Sequence, residues 1–346
     1  MKRLRGVILV AIVVITAAAY FSVLVPPAIF WPAVLLSYLI PGIIAFHIFF
    51  AIVFIVKKKK LAWLFVAGIV GGLPFILVSV SIHSAQSNSN SISVLSYNAK
   101  LFRKAKVYDE FSPELIQWVV DDTSDIKCIQ EYSTDSLWDG LAITQKIRAR
   151  GYDDYAFKSK MPGNLHDLGI AIFSKYKIIN TGVVWEDPSS VNGAIFADVQ
   201  LDTTVLRIYT VHLGSMNLDI QQYKEIKYVR GKTKRLVSKL KDGAIRRAGQ
   251  IDLLIEHTQS CPSRFIICGD FNETPYSYNY FKLRKHFSNS FEQAGNGFGF
   301  SLNSKLFFLR IDHHFYGKGI VPLQYRVDRT QKISDHFPTR ATYVVE

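Results

Sequence analysis

Arg264-Phe265-Ile266-Ile267-Cys268-Gly269-Asp270-Phe271-Asn272 is the stretch from which the fold is read. A short apolar run closed by Gly and then by polar residues is the pattern of a strand buried on both faces. Such a strand lies inside a layered α/β domain and delivers its last side chains to a sheet edge, where a rigid scaffold can aim them. On an extended chain, a spacing of two puts Asp270 and Asn272 on the same side. A carboxylate and an amide side by side suit activation of a water and capture of an oxyanion; an Asx-type turn before Thr274-Pro275 is the structural alternative.

Outward from this stretch, further strands end in the same way. Ile92–Tyr97 runs into Asn98, and Asp125–Gln130 runs into Glu131. Leu168–Phe173, Ala194–Leu201 and Val205–Val211 are three more strands. The last two form a hairpin about Asp202-Thr203-Thr204, and His212 follows it. Ile311–Tyr316, Leu323–Val327 and Arg340–Val344 complete the sheet material, with Asp312 in the first and Asp335-His336 before the last. Ser112-Pro113-Glu114 opens a helix with Ser as its cap. Residues 217–257 read as helical, broken near Asp242-Gly243. Hairpins mixed with strand–helix–strand units predict an α/β sandwich with mixed sheets.

Each polar strand end has an ordinary reading. Asn98 alone is a turn residue, His212 a satisfied core histidine, and Asp335-His336 a strand cap. Glu131 is harder to dismiss, because a carboxylate at the end of a buried strand is costly without a partner.

The first 87 residues are chemically distinct. They hold seven of the 41 Lys/Arg and none of the 28 acids, so +7 of the net charge of +13 lies here and +6 in the remainder. Three apolar runs, about 6–25, 33–56 and 61–82, are each long enough to cross a bilayer as a helix. Basic residues at the start of the chain and at Lys57–Lys60 predict a cytoplasmic N terminus and a domain on the opposite side. A cleaved leader over the first run is the alternative, and it leaves the domain on the same side. The expected organisation is a membrane anchor over 1–83, a Ser/Asn-rich linker over 84–91 and a catalytic domain over 92–346. An N-terminal anchor followed by one compact domain is expected in a bacterial inner membrane, with the domain periplasmic or otherwise extracytoplasmic.

Cys128 and Cys268 lie in strand-like runs and read as small buried hydrophobes. No C-x-x-C pair indicates a thiolate zinc site, and Cys261 could pair with either of the others. Lys224 to Arg247 holds ten basic residues against two acidic ones. A solvated helix face is its plain reading; an anionic contact through Arg247 is the sharper one. The aromatic residues of 276–281 and 298–308 suit stacking on bases or entry into a membrane interface; packing against the core is their plain reading and the one expected.

Taken in order, Leu95-Ser96-Tyr97-Asn98, Ile129-Gln130-Glu131, Gly169–Lys175, Val211-His212-Leu213, Gly269-Asp270-Phe271-Asn272 and Ser334-Asp335-His336-Phe337-Pro338 resemble the motifs of the endonuclease/exonuclease/phosphatase superfamily. The resemblance covers about 91–346 and leaves the apolar N-terminal part outside. It implies a four-layered α/β sandwich of two mixed sheets and a phosphoester substrate, be it a phospholipid headgroup, a nucleic acid or a small phosphoester. It implies Mg2+ or Mn2+ held by Glu131 with Asn98 and Asp335. Asp270 would orient or deprotonate water, Asn272 and His212 would bind phosphate oxygens, and His336 would hydrogen-bond the phosphate or act in proton transfer, oriented through Asp312. His313 stands where the family commonly has an aromatic residue. A binding protein that kept the fold and lost catalysis is the alternative, and the presence of all the acids argues against it. A transporter or channel is disfavoured by the absence of charges within the three runs.

Overall fold

The computed structural model describes residues 2–104, 110–135, 139–159, 167–187, 190–215 and 229–346. The chain divides into two compact units, one of residues 1–80, 215–249 and 274–285 and one of 81–214, 250–273 and 286–346.

The first unit is built from apolar helices. Helix α1 (Lys2–Phe21) continues into a 3-10 turn, and α2 (Pro32–Ser37) leads into α3 (Ile40–Val56). The stretches Arg3–Leu24 and Pro32–Val56 are each long and apolar enough to cross a membrane. The third run, expected as one helix to about Ile82, is instead two: α4 (Ala62–Gly71) and α5 (Leu73–Ser79), bent by 54°. Gly72 and Pro74 explain the break, since glycine frees the backbone and proline removes a helical donor. The pair makes a third span only if both halves count as one. His47 is a packing residue, bonded to Thr16 at 2.9 Å. Helix α9 (Tyr278–Arg284), capped by Ser277, belongs to this unit: Phe281 packs edge-on against Phe75 at 5.5 Å, and Tyr276 joins a cluster with Ala19, Val23 and Ile40.

The second unit is a sandwich. Its strands in chain order are β1 (Ser81–Ile82), β2 (Ile92–Asn98), β3 (Ile126–Thr134), β4 (Asp153–Ser159), β5 (Asp167–Ser174), β6 (Ile178–Glu186), β7 (Gly193–Leu201), β8 (Thr204–His212), β9 (Arg264–Asp270), β10 (Ser288–Asn289), β11 (Asn296–Gly297), β12 (Asp312–Tyr316), β13 (Ile320–Val327) and β14 (Thr339–Val345). One six-stranded sheet has the order β13-β14-β2-β3-β5-β4, the other β10-β12-β9-β8-β7-β6. Ser81 and Ile82, expected at the end of the third span, form β1 and pair with β11.

Alternation along the strands produces the layers. Val94, Cys128, Ile170 and Ile172 point between the sheets and meet Ile195, Ala197, Ile208, Ile266 and Cys268 from the other side. Their neighbours Leu95, Ile129, Ala171 and Phe173 point outward onto α6 (Pro113–Asp121) and α7 (Ile143–Arg148) through Leu115, Val119, Ile143 and Ile147. Ser112 caps α6 by accepting the Leu115 N–H. On the far face of the second sheet, the part of α8 (Val229–Gln259) that belongs to this unit buries Ile251 and Leu254, and His257 bonds the Tyr209 hydroxyl at 3.0 Å. Burying each such Leu or Ile stabilises the fold by about 1.5–3 kcal/mol.

Helix α8 is continuous from Val229, so the break expected at Asp242-Gly243 is absent; a single glycine costs a helix only about 1 kcal/mol. The earlier part of the expected helical stretch, 217–228, lies outside the described residues. All three cysteines are free, with Cys128 and Cys268 fully buried.

Candidate functional site

Each sheet contains one parallel pair, β2 with β3 and β8 with β9. In register, Asn98 stands beside Gln130 and His212 beside Asp270. The carboxyl ends of both pairs thus carry the residues singled out in the sequence. Gly269 makes the second pair possible: at φ +150°, an added Cβ would stand 2.0 Å from the Val211 carbonyl oxygen.

Glu131 reaches the site through an irregularity. The β3–β5 register shifts between Ile129 and Tyr132, and Glu131 adopts φ +46°. A bulge of this kind re-aims a side chain. Gln130 keeps the inward direction and bonds Thr210 across the sandwich at 2.8 Å, while Glu131 accepts a hydrogen bond from the Asn98 amide at 3.1 Å. The same amide donates to Asp270 at 3.1 Å, so Asn98 ties the two sheets together.

His212 donates its Nδ1–H to the Val191 carbonyl at 3.2 Å. That leaves Nε2 facing Glu131 and Asp270, at 3.8 and 3.7 Å. Asp312 begins β12 opposite Asp270, and its carboxylate bonds His336 Nδ1 at 2.9 Å. The other nitrogen of His336 lies 3.6 Å from Asp270. Burial opposes a charge on this imidazole, but the carboxylates of Asp312 and Asp270 outweigh it and push its pKa well above the ordinary value. Asp335 is held low: burial works against ionisation, and His336 and Lys100 overcome it.

Asn272 departs from the expectation. The strand ends at Asp270, Asn272 turns into the left-handed region at φ +50°, and its N–H donates to Asp270 Oδ1 at 2.9 Å. This is the Asx turn, so the two side chains do not simply share one face. The Asn272 amide instead donates to the Leu213 carbonyl at 3.0 Å. Arg247, expected at an anionic contact, is fully buried. His313 is also enclosed, bonded to the Glu273 carbonyl at 2.7 Å, and burial first and then Arg310 hold its pKa well below normal.

Two supporting residues escape a reading of the sequence. Lys100 pairs with Asp335 at 3.1 Å, delivered by three successive left-handed residues, Lys100 to Phe102. Ser301 accepts the Asp312 N–H at 3.1 Å. Left-handed non-glycine backbone is costly and clusters at functional sites, but no side-chain pattern announces it.

The described residues include one compact group with metal-ligating atoms mutually within 4.8 Å: Asp270, Asp312 and His336. Glu131 and Asp335, expected as metal ligands, are the accessible acids, with 27% and 42% of their side chains exposed.

Residues 95–336 match the endonuclease/exonuclease/phosphatase family. The chain belongs to that family. Its members are generally phosphoesterases or nucleases. Residues 2–79 separately match a domain of unknown function, DUF8431. Among curated proteins, none matches the chain. Solved structures share the fold. An endonuclease/exonuclease/phosphatase from Beutenbergia cavernae is 12% identical with a TM-score of 0.55, over 74% of this chain and 72% of that one. The human Nocturnin catalytic domain with bound sulfate is 17% identical with a TM-score of 0.53, over 74% and 94%. A family protein from Bacteroides thetaiotaomicron is 19% identical with a TM-score of 0.51, over 76% and 97%.

Proposed function

We propose that the chain is a divalent-metal-dependent phosphoesterase, acting on a phosphodiester and tethered by its N-terminal helices with the catalytic domain outside the cytoplasm. The observation that carries this reading is the convergence of Asn98, Glu131, His212, Asp270 and His336 from both sheets, each within 3.8 Å of another.

Accessibility divides the acids by task. Mg2+ and Mn2+ take oxygen ligands, and Mg2+ retains several waters. Glu131 and Asp335 offer carboxylate oxygens open to solvent and the Asn98 side chain an amide oxygen, the donor type such an ion takes; Asp335 pairs with Lys100 and the Asn98 oxygen accepts the Lys100 N–H, so both would turn from Lys100 to join Glu131 on the ion. The buried group of Asp270, Asp312 and His336 suits protons instead, because Asp312 and His336 already bond each other. When bound, the cation neutralises phosphate charge and stabilises the leaving oxygen.

The protein's own groups do the remainder. Asp270, held by the Asn98 amide and the Asn272 N–H, orients the attacking water and takes its proton. His212, aimed by Val191, and the amide of Asn272 bind the phosphate oxygens. His336, kept protonated by Asp312, hydrogen-bonds the phosphate or passes a proton to the leaving group.

The test is turnover of bis-p-nitrophenyl phosphate by the full chain in detergent, with Mg2+, Mn2+ or EDTA. Metal-dependent turnover lost in Asp270→Asn supports the reading. Absence of turnover together with absence of metal binding replaces it with a membrane-anchored binding protein on the same fold.

A further inference from the structure

Among the described residues of the sandwich, one place exposes consecutive large apolar side chains: Leu306, Phe307 and Phe308 are 37, 60 and 48% exposed. The expectation that the aromatic residues of 298–308 pack against the core is therefore not met. Phe298 is open as well and stacks on Phe300 with ring centroids 5.1 Å apart. Adjacent exposed aromatics are unfavourable in water and mark surfaces that something apolar covers.

The stem below this tip is firmly made. The N–H groups of Ser301 and Leu302 both donate to the Leu309 carbonyl, at 3.0 and 3.1 Å, and Leu309 N–H donates to Leu306. The foot is bonded to the site. Ser301 Oγ accepts the N–H groups of Ile311 and Asp312, Asn303 N–H donates to the Asp335 carbonyl at 2.6 Å, and Leu302 bridges His336. The apolar tip is thus hydrogen-bonded, through a few residues of stem, to the backbone of three site residues.

The surroundings are basic. Lys305 lies in the tip. Arg329 donates to the Phe300 carbonyl at 3.2 Å, and the Lys332 carbonyl accepts from Asn303 at the foot. An apolar point in a cationic setting is the chemistry of the interface of an anionic bilayer, where aromatic and leucine side chains enter the acyl boundary and lysine stays with the headgroups. A single-stranded nucleic acid would favour aromatic faces along a basic groove over a protruding Leu-Phe-Phe point.

We propose that the Lys305–Phe308 tip inserts into an anionic phospholipid bilayer and presents a lipid headgroup phosphoester to the site at its foot. This rests on the phosphoesterase reading above and narrows its substrate to a phospholipid.

The test uses the full chain in nanodiscs of phosphatidylethanolamine and phosphatidylglycerol. A nitrobenzoxadiazole label on Phe307→Cys, in a Cys261→Ser background, reports insertion without any turnover. Quenching by lipids carrying an acyl-chain nitroxide is expected, and a label that stays in water overturns the proposal. In parallel, the double variant Phe307→Ser, Phe308→Ser is compared with the parent on the nanodisc lipid and on bis-p-nitrophenyl phosphate. The ratio of lipid to soluble turnover is expected to fall at least tenfold; an unchanged ratio overturns the proposal. If the parent hydrolyses neither substrate, the phosphoesterase reading fails, and quenching of the label still decides insertion.

Discussion

In each six-stranded sheet the third and fourth strands form the single parallel pair, and all other neighbours are antiparallel. The first sheet ends its pair in Asn98 and Glu131, with Asp335 before β14; the second ends in His212 and Asp270, with Asp312 starting β12. The side chains of Glu131 and Asp335 are 27 and 42% exposed, whereas those of His212 and Asp270 are 3 and 2% exposed. One topology, used twice, therefore carries the open acids Glu131 and Asp335 on one side and the closed acids Asp270 and Asp312 on the other, with Asn98 of the first pair itself buried. An open end suits a hydrated cation, and a closed end suits positioned protons, because electrostatic effects strengthen where water is excluded. His336 joins the two, entering beside β14 and bonding Asp312 of the second sheet.

The largest expected effect tests the closed end. Asp270→Asn keeps the shape but removes the base, and kcat should fall by roughly 10²–10⁴, with no recovery at high Mg2+. Glu131→Gln tests the open end. The metal concentration for half-maximal rate should rise by roughly tenfold or more, and high metal should restore much of the rate. If both variants respond alike to added metal, the division between the sheets fails.

Asp312→Asn has a smaller effect, roughly tenfold on kcat/KM by loss of an oriented proton donor, and a direction in pH. Asp312 raises the pKa of His336, so without that carboxylate the imidazole loses its proton at lower pH. The alkaline limb of the kcat/KM profile should move towards acid; a limb that does not move shows that His336 is not the group observed.

The smallest effect concerns stability and again sets one sheet against the other. In β3, Lys127 is fully buried, donates to the carbonyls of Val119 and Val120 at 2.8 and 3.3 Å, and has its pKa lowered by burial from 10.5 to about 8. The unfolded chain then binds more protons between these values, so stability should rise with pH from 8 to 10.5, by at most roughly 3 kcal/mol. Lys127→Met should abolish that rise in thermal melts. The buried cation of β8, Arg207, is forked onto Asp198 at 2.6 and 2.7 Å and stays charged throughout. Arg207→Met should leave the slope over this pH range intact.

The strand ends were legible because apolar runs closed by Asn, Glu, His or Asp announce both a buried strand and a polar duty. The α6 cap was legible for the same reason, since Ser-Pro-Glu performs a local task. Departures from regular geometry were not legible. The bulge at Glu131 and the left-handed turn at Lys100–Phe102 are stabilised by contacts distant in sequence, whereas the Asx turn at Asn272 is a contact over two residues and was open to a reading of the sequence. The continuity of α8 through Gly243 overrides a local signal, since a single glycine costs a helix only about 1 kcal/mol, while the bend after Gly71 follows one, set by Gly72 and Pro74. Exposure at Phe307 and Phe308 was hidden because composition cannot say which aromatic residues find a core.

Binding of Mn2+, followed by the loss of its free-ion electron paramagnetic resonance signal, tests the division of labour most directly. The account predicts that Glu131→Gln abolishes tight binding while Asp312→Asn retains it. Binding that survives Glu131→Gln and is lost in Asp312→Asn would place the ion in the buried group of Asp270, Asp312 and His336 and contradict the account.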